Sequence, residues 1–301
     1  MSDRLLGYMY LALAMILVGS TVVASKMIGS GLPVFTATAL RFAIALPCFL
    51  FLMRVTGTRI PRLDKRDCAL LILQAGAGSV GYTSLLITGM QMTSAADAAV
   101  IIGSLPIVSA AIAIGLLRER PQASLLLAVL LAGVGVLSIA VKAGGSDQHS
   151  ITGNALIFAA IICEALFILL NKRLKTAIAP LALSTIMVGL GLALSLIPAL
   201  FEMPWKLAIG SHAIWATVYY ALLPTVAGFL LWYAGAAKVS GSEAALFTAL
   251  APVSAVMLAV LVLGEIVSSG QLIGITCVLL AIGGMAVLGK RGADNAKEKI
   301  S

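Results

Sequence analysis

Charged residues are scarce in this sequence. Asp, Glu, Lys and Arg together make up 11% of its 301 residues, whereas a soluble globular domain contains about a quarter. Only 12 residues are acidic and two are histidines. So few charges cannot cover a surface in contact with water, which excludes an ordinary soluble domain.

Long polar segments are missing as well. Hydrophobic residues make up 61% of the chain, its mean hydropathy is +1.10, and short connections separate ten apolar runs, each close to the roughly 20 residues that cross a bilayer as a helix. The runs cover about residues 5–25, 34–53, 68–89, 95–117, 123–141, 153–170, 181–200, 213–235, 242–263 and 271–289. The sequence therefore predicts an all-α integral membrane protein with ten transmembrane helices and no soluble domain.

The net charge of +8 raises the question of a nucleic-acid partner, and the placement of the basic residues answers it. Most of the 20 lysines and arginines lie at the two chain ends and in alternate connections; Lys26, Lys142 and Lys206 lie in the other connections, and Arg41 lies inside a run. Basic residues collect on the cytoplasmic side of membrane proteins. The pattern predicts cytoplasmic N- and C-termini, a lipid environment and no nucleic-acid partner.

Motifs of catalysis and cofactor binding are also absent. The sequence has no H-E-x-x-H, no G-x-S-x-G and no paired carboxylates at metal-binding spacing, and its four cysteines lie within or beside apolar runs, as small core residues do. The stretch "GAGSVG", residues 76–81, fits a dinucleotide pattern but lies inside an apolar run, where small residues allow close helix packing. We predict no cofactor, no metal and no enzymatic activity.

An internal repeat is the most informative feature. Residues 94–119 align without a gap to residues 240–265, a shift of 146. The shift carries Gly7, Lys26, Gly89, Ser94, Asp97, Pro106 and Glu119 onto Gly153, Lys172, Gly235, Ser240, Glu243, Pro252 and Glu265. We predict one transport domain built from two five-helix repeats, residues 1–146 and 147–301.

Five helices is an odd number, so the second repeat enters the membrane from the opposite side. Inverted repeats of this kind surround a midplane cavity and give two near-equivalent states, one open to each side, as in secondary transporters. The architecture predicts a small-molecule substrate and requires no oligomer. Pro106 and Pro252 occupy equivalent positions in the fourth and ninth runs, and each removes a backbone hydrogen bond, so we predict that they permit gating motions.

Several of these residues carry a resemblance to a known family. Gly19, the Ser25-Lys26 pair, Arg41, and the runs "TSAADAA" and "SGSEAA" with their following prolines and glutamates resemble the ten-helix, EamA-type members of the drug/metabolite transporter superfamily. The resemblance implies export of small metabolites, with amino-acid exporters among similar members, across a bacterial cytoplasmic membrane. It also implies a cavity lined by helices 1, 3, 4, 6, 8 and 9. Val18 stands where the family usually has Trp, so any substrate contact that the Trp makes in the family cannot be assumed for this chain.

Polar stripes on the predicted helices give candidate binding residues. Gln74, Gly78 and Tyr82 recur at i, i+4 and i+8. In the second repeat, Tyr220 is the residue equivalent to Gln74. Polar groups facing lipid are costly, so these stripes should face the interior. The predicted substrate-binding or coupling residues are Glu164, Asn171, Thr21, Ser25, Gln74, Tyr82 and Tyr220. The alternative is that the hydroxyls only bind neighbouring helices.

Glu164 is the candidate of greatest interest. It lies about 16 Å along the sixth helix from Gly153, close to the midplane, and its repeat partner is Val18, so the repeat does not demand an acid there. An ionisable residue in a membrane is by default a functional hypothesis. Glu164 either receives a cationic group of the substrate or carries a coupling proton; the alternative is a protonated acid bonded to a neighbouring helix. For Arg41, a structural role, such as bonding to backbone carbonyls, is favoured.

Three other functions remain open at this point. A broad-specificity exporter of drugs or cations has the same architecture as a metabolite exporter. A channel would more often show a ring of pore residues, and an intramembrane enzyme would need a catalytic constellation that the sequence does not show. The inverted repeat favours a secondary transporter over both.

Overall fold

The computed structural model describes nine of the ten predicted helices in whole or in part. The described residues are 3–105, 107–108, 111–112, 150–171, 173–203, 205, 210–236, 238, 247, 250–267, 269–270, 272–273, 275–277 and 280. Pro106 and the predicted fifth helix lie outside them. All regular structure in the described part is helical.

The helices follow the predicted runs closely. Their bounds are α1, Asp3–Gly29; α2, Val34–Thr56; α3, Lys65–Gln74 and Tyr82–Met90 joined by a π-helical turn, Ala75–Gly81; α4, Ala95–Ile102; α5, Ile151–Asn171; α6, Pro180–Phe201; α7, Ser211–Tyr220 and Gly228–Ala236 joined by a π-helical turn, Ala221–Ala227; and α8, Leu250–Leu263. Thus α5 to α8 are the predicted helices six to nine. In the described part, five helices are long and apolar enough to span a membrane, and α5 and α8 contain shorter apolar stretches. The chain is an all-helical, multi-pass membrane protein.

Contacts between the halves follow the repeat. A Cβ on Gly89 would lie 2.6 Å from Ile157 Cδ1 and 3.0 Å from the Gly153 carbonyl oxygen, so α3 packs closely on α5. A shift of 146 moves this contact onto Gly235, where a Cβ would lie 2.8 Å from Leu11 Cγ and 3.0 Å from the oxygen of Gly7. The two π-helical turns are related by the same shift. The predicted division at residue 146 stays a prediction, but its two halves make matching contacts.

Apolar packing places α1 at the centre of the described part. It contacts α8 on one side and α7 on another, while α2 packs against α6. Gly19 is buried against the backbone of α8. Large apolar side chains on the outer faces of the helices, such as Phe51, Phe201 and Leu261, are exposed, as expected where lipid rather than water surrounds the protein.

Carboxylates secure the helix ends on both faces. Glu202, after α6, accepts hydrogen bonds from the Phe35 and Thr36 amides at 2.9 and 2.6 Å, and so caps α2 on the predicted outer face. Asp67, in the first turn of α3, accepts from the Thr176 amide at 2.9 Å and its hydroxyl at 2.7 Å, on the predicted inner face. These bonds tie the segment after α6 to the start of α2, and the loop before α6 to α3.

An ion pair lies at the predicted outer face. Lys26 Nζ, near the end of α1, donates to Glu265 Oε1 at 2.5 Å. Glu265 Oε1 also accepts from the Ala95 amide at the start of α4, at 3.2 Å. One carboxylate therefore joins α1, α4 and the segment that follows α8.

Candidate functional site

A cavity of about 150 Å³ lies between the helices. It is lined from α1, α3, α4, α5, α7 and α8, the six helices that the resemblance implies. A seventh helix, α2, contributes Arg41. The volume suits a small metabolite, because a cavity of this size holds a molecule such as benzene.

Both π-helical turns line this cavity. Gly78 and Ser79 line it from the first turn, and Pro224 and Thr225 line it from the second. Thr225 donates its hydroxyl to the Tyr220 carbonyl at 2.9 Å, five residues back. Single π-helical turns often mark functional sites, and the repeat places this pair symmetrically.

Glu164 projects into the cavity from α5. It lies about two turns before the C-terminal end of the helix, and its side chain is half-buried. Within the described residues it forms no ion pair, that is, no nitrogen–oxygen distance of 4.0 Å or less. The charge that acts on it is that of Arg41, across the cavity. The carboxylate is therefore open to a ligand.

Arg41 lines the same cavity and is more deeply buried, with 6% of its surface exposed. Its Nη2 donates to the Ser79 carbonyl oxygen at 3.3 Å. The guanidinium carbon lies 4.2 Å from the ring centre of Phe42 and 4.6 Å from that of Tyr220, within cation–π range. The carbonyl bond agrees with the favoured structural role, and the position in the cavity wall supports the less favoured one, contact with a ligand.

Hydroxyl groups surround these two charges. Thr21, Tyr82 and Tyr220, all predicted binding residues, line the cavity together with Thr83. Thr21 and Thr83 also donate to carbonyls of their own helices, at 2.7 and 2.9 Å, so their oxygens remain able to accept.

Other predicted binding residues lie elsewhere. Gln74 is buried but does not line the cavity, and its amide oxygen and nitrogen have no hydrogen-bond partner. The π-helical turn begins directly after it, and the wider turn moves Gln74 off the stripe that Gly78 and Tyr82 still share. Ser25 is fully buried near the outer end of α1, also away from the cavity and without a partner for its hydroxyl.

The remaining predicted residues are Pro252, Pro106 and Asn171. Pro252 is buried in α8 next to Ala251, which lines the cavity, but Pro252 itself does not. Pro106 and the side chain of Asn171 lie outside the described residues. The grouping of Glu164, Thr21, Tyr82 and Tyr220 in one cavity therefore comes from four different helix segments.

Aromatic side chains supply much of the remaining wall. Phe167, Phe229, Trp232 and Tyr233 line the cavity, and sequence reasoning named none of them. Aromatic residues occur throughout apolar helices, so only the fold distinguishes those that face the cavity. Tyr233 also lines a second recess, formed with the 174–183 segment at the predicted inner face. Tyr233 thus lies between the central cavity and that face.

The arrangement is suited to binding a small molecule. Two opposite charges and several hydroxyls lie in a largely apolar cavity, and in the described part of the chain no group of three or more His, Cys, Asp or Glu residues is placed to hold a metal ion. Such a site can recognise a small molecule by charge and shape.

Comparisons with known proteins agree with this picture. Residues 5–141 and 151–287 each match the EamA-like transporter family. The chain is 37% identical to "Uncharacterized transporter YetK" of Bacillus subtilis (strain 168), over 93% of this chain and 86% of that protein. It is 26% identical to a protein of Streptantibioticus cattleyicolor named "Probable terminal-alkyne amino-acid exporter", over 80% and 79% of the two chains.

A solved crystal structure shares the fold. It superposes with a TM-score of 0.64 and covers 96% of this chain and 98% of its own, at 17% identity. The likeness extends over nearly the whole length of both chains, so both repeats belong to the shared fold.

Proposed function

Because the chain belongs to the EamA-like transporter family, we propose that it exports amino acids or related small metabolites across a bacterial cytoplasmic membrane. Transport proceeds by alternating access, with the inverted halves rocking around the central cavity. The family match, the transporter relatives and the amino-acid exporter among them support this proposal. An enzymatic role has no support in the relatives or in the residues of the cavity.

The two faces of the cavity support a cytoplasmic access route. On the predicted outer face the Lys26–Glu265 ion pair joins α1 to the segment after α8. On the predicted inner face a recess of about 250 Å³ reaches Tyr233, which also borders the cavity. A substrate that arrives from the cytoplasm therefore meets the Tyr233 side chain before it meets Glu164.

The observation that carries the proposal is the Glu164 carboxylate, which faces the cavity without an ion-pair partner among the described residues. A charged group inside a membrane protein is costly unless it is paired. A substrate ammonium group, or a proton that couples export to the inward proton gradient, supplies that partner. Glu164 can serve both purposes in turn, since binding of one displaces the other.

A broad-specificity exporter of apolar cations is the second candidate. Glu164 and the aromatic wall favour it, because cations bind to carboxylates and to ring faces. Arg41 in the same cavity opposes it, since a like charge repels a cation there. We therefore place amino acids before drugs.

The test is transport into liposomes by the purified protein. A flux screen of labelled amino acids, nucleosides and cationic drugs identifies the substrate class, and Glu164→Gln then tests the carboxylate. This change keeps the shape and hydrogen bonding of the protonated acid but removes ionisation. We expect loss of flux or of its pH dependence.

Cys163→Ser is the matched control, because Cys163 neighbours Glu164 on α5 but does not line the cavity. It should transport like the wild type. If Glu164→Gln transports at the wild-type rate with the wild-type pH dependence, the carboxylate is structural and this part of the proposal is wrong.

A further inference from the structure

We propose that Arg41 binds the carboxylate of the substrate while Glu164 faces its ammonium group, so that the protein selects zwitterionic α-amino acids with apolar side chains. This inference rests on the proposed export function and gives it a specificity-determining residue. Three features of the molecule support it: the unused donors of Arg41, the opposite charge of Glu164, and the sequence repeat.

The Arg41 side chain is held in place, but only some of its N–H donors have hydrogen-bond partners among the described residues. A guanidinium group has five N–H donors; here Nη2 donates to Ser79 and the group interacts with the Tyr220 hydroxyl. Nε is buried and has no hydrogen-bond partner among the described residues. A buried cation with unused donors is costly, and a carboxylate is the ligand that the planar donor set fits in a bidentate manner.

Two aromatic rings beside Arg41 preorganise its guanidinium group for binding. Phe42 and Tyr220 hold the guanidinium carbon at 4.2 and 4.6 Å from their ring centres. The side chain therefore loses little conformational freedom when a ligand arrives, which favours binding. The group is more than nine-tenths buried, so water does not weaken the interaction as it does at a surface.

Glu164 supplies the opposite charge without cancelling that of Arg41. The two side chains line one cavity and act on each other electrostatically, but no nitrogen–oxygen distance between them is 4.0 Å or less. A zwitterion placed between them satisfies both charges and adds no net charge to the cavity. A lone cation leaves Arg41 unpaired and a lone anion leaves Glu164 unpaired, so each is disfavoured.

The repeat shows that the fold requires neither charge. The shift of 146 places Met187 at the position equivalent to Arg41 and Val18 at the position equivalent to Glu164. Met187 is fully buried, so an apolar side chain satisfies the packing at that position of the other half. Two charges that break the symmetry and face one cavity point to a shared ligand rather than to two separate packing needs.

The rest of the wall defines the substrate side chain. Phe167, Phe229 and Trp232 line the cavity, together with aliphatic residues from α1 and α4. These surfaces favour an apolar side chain. A second charge on the substrate has no partner among the described lining residues, because Arg41 and Glu164 are already engaged.

The test compares three ligands that share one carbon skeleton. Valine is zwitterionic, valinamide lacks the carboxylate and isovalerate lacks the amine; each is titrated calorimetrically into the purified, detergent-solubilised protein. The wild type should bind valine about 10- to 100-fold more tightly than either analogue, the range for one charged hydrogen-bonding group.

Two variants should separate the roles. Arg41→Gln should weaken valine binding about 10- to 100-fold without weakening valinamide binding, which should be unchanged or tighter because the repulsion between Arg41 and a cation is removed. Glu164→Gln should weaken valine binding without weakening isovalerate binding, which should be unchanged or tighter because the repulsion between Glu164 and an anion is removed. Arg54→Gln, an exposed arginine near the end of the same helix, is the matched control and should bind all three ligands like the wild type.

Failure of this inference can be distinguished from failure of the proposed export function. If wild-type protein in liposomes moves no amino acid, the proposed function fails. If it moves valine, but valinamide or isovalerate binds as tightly as valine, only the zwitterion inference fails, and this comparison needs no variant to fold. Equal losses of valine and valinamide binding in Arg41→Gln would also overturn it, because a merely structural arginine affects both ligands alike.

Discussion

A side chain at Gly19 should weaken the close contact between α1 and α8 and so destabilise the protein. A Cβ at this position would lie 2.6 Å from the Ala251 carbonyl oxygen and 2.9 Å from the Ala255 nitrogen, and it would overlap Ser254 Oγ. The first two atoms belong to the backbone, so no side-chain rotation can relieve the clash. In Gly19→Ala the two helices must separate by about 0.8 Å before the Cβ reaches ordinary contact at 3.4 Å from the carbonyl oxygen.

The expected loss of stability follows from two opposing terms. Overpacking of this kind costs about 1–3 kcal/mol, and replacing Gly by Ala inside a helix returns at most about 1 kcal/mol. We expect a net loss of about 1–2 kcal/mol, which lowers the melting temperature by about 2–4 °C for a chain of this size. Transport should slow as well, because neighbouring Val18 lines the cavity.

The assay is thermal denaturation of the purified protein in detergent at a fixed scan rate, with Gly189→Ala as the control. Gly189 lies inside α6, and the nearest atom to a Cβ there is Leu46 Cδ1 at 4.0 Å, so its substitution should leave the melting temperature unchanged or raise it. A melting temperature for Gly19→Ala equal to or above that of Gly189→Ala would show that the α1–α8 contact is not as close as the structure has it.

Three further predictions concern topology, gating and the outer ion pair. Reporters fused at the C-terminus or in the loop at residues 54–66 should be active only if they work in the cytoplasm; an external signal at either place contradicts the orientation. Pro106→Ala and Pro252→Ala should fold but transport more slowly, and unchanged flux in both would make the prolines packing elements. Lys26→Gln and Glu265→Gln should lower the melting temperature by similar amounts, and the double variant by little more than either, since one interaction is lost; additive losses would argue against the pair.

Sequence reasoning predicted most of the fold because its signals are periodic and repeated. Apolar run length indicated the helices, and the shift of 146 anticipated the matching contacts of Gly89 and Gly235. It also anticipated much of the cavity, because Glu164 and Tyr82 lie on polar stripes that have no reason to face lipid.

The misplaced residues have local causes that the sequence does not show. Regular helical spacing put Gln74 on the stripe of Tyr82, but the spacing does not reveal a π-helical turn, which changes the direction of the next side chain. Ser25 follows Thr21 by one turn of α1, yet it lies in the packed outer end of the helix rather than in the cavity. Helical periodicity defines a face but not how far along that face the cavity extends.

Arg41 was underestimated for a different reason. A single arginine inside a predicted span has several explanations, and bonding to a carbonyl is a common one. The bond to Ser79 does exist. Only the structure shows that Nε has no partner and that the same side chain faces Glu164 across a cavity.

The symmetric and the asymmetric residues should therefore respond differently to mutation. The glycine contacts and π-helical turns occur twice, once in each half, as alternating access between two equivalent states requires. Changes there should alter stability or rate for every substrate alike. Arg41 and Glu164 each occur in one half only, opposite Met187 and Val18 in the repeat, so changes there should alter which substrate is carried. A ligand with two unlike ends requires a site whose halves differ, and these two charges are the pair of opposite sign among the lining residues at which the halves differ.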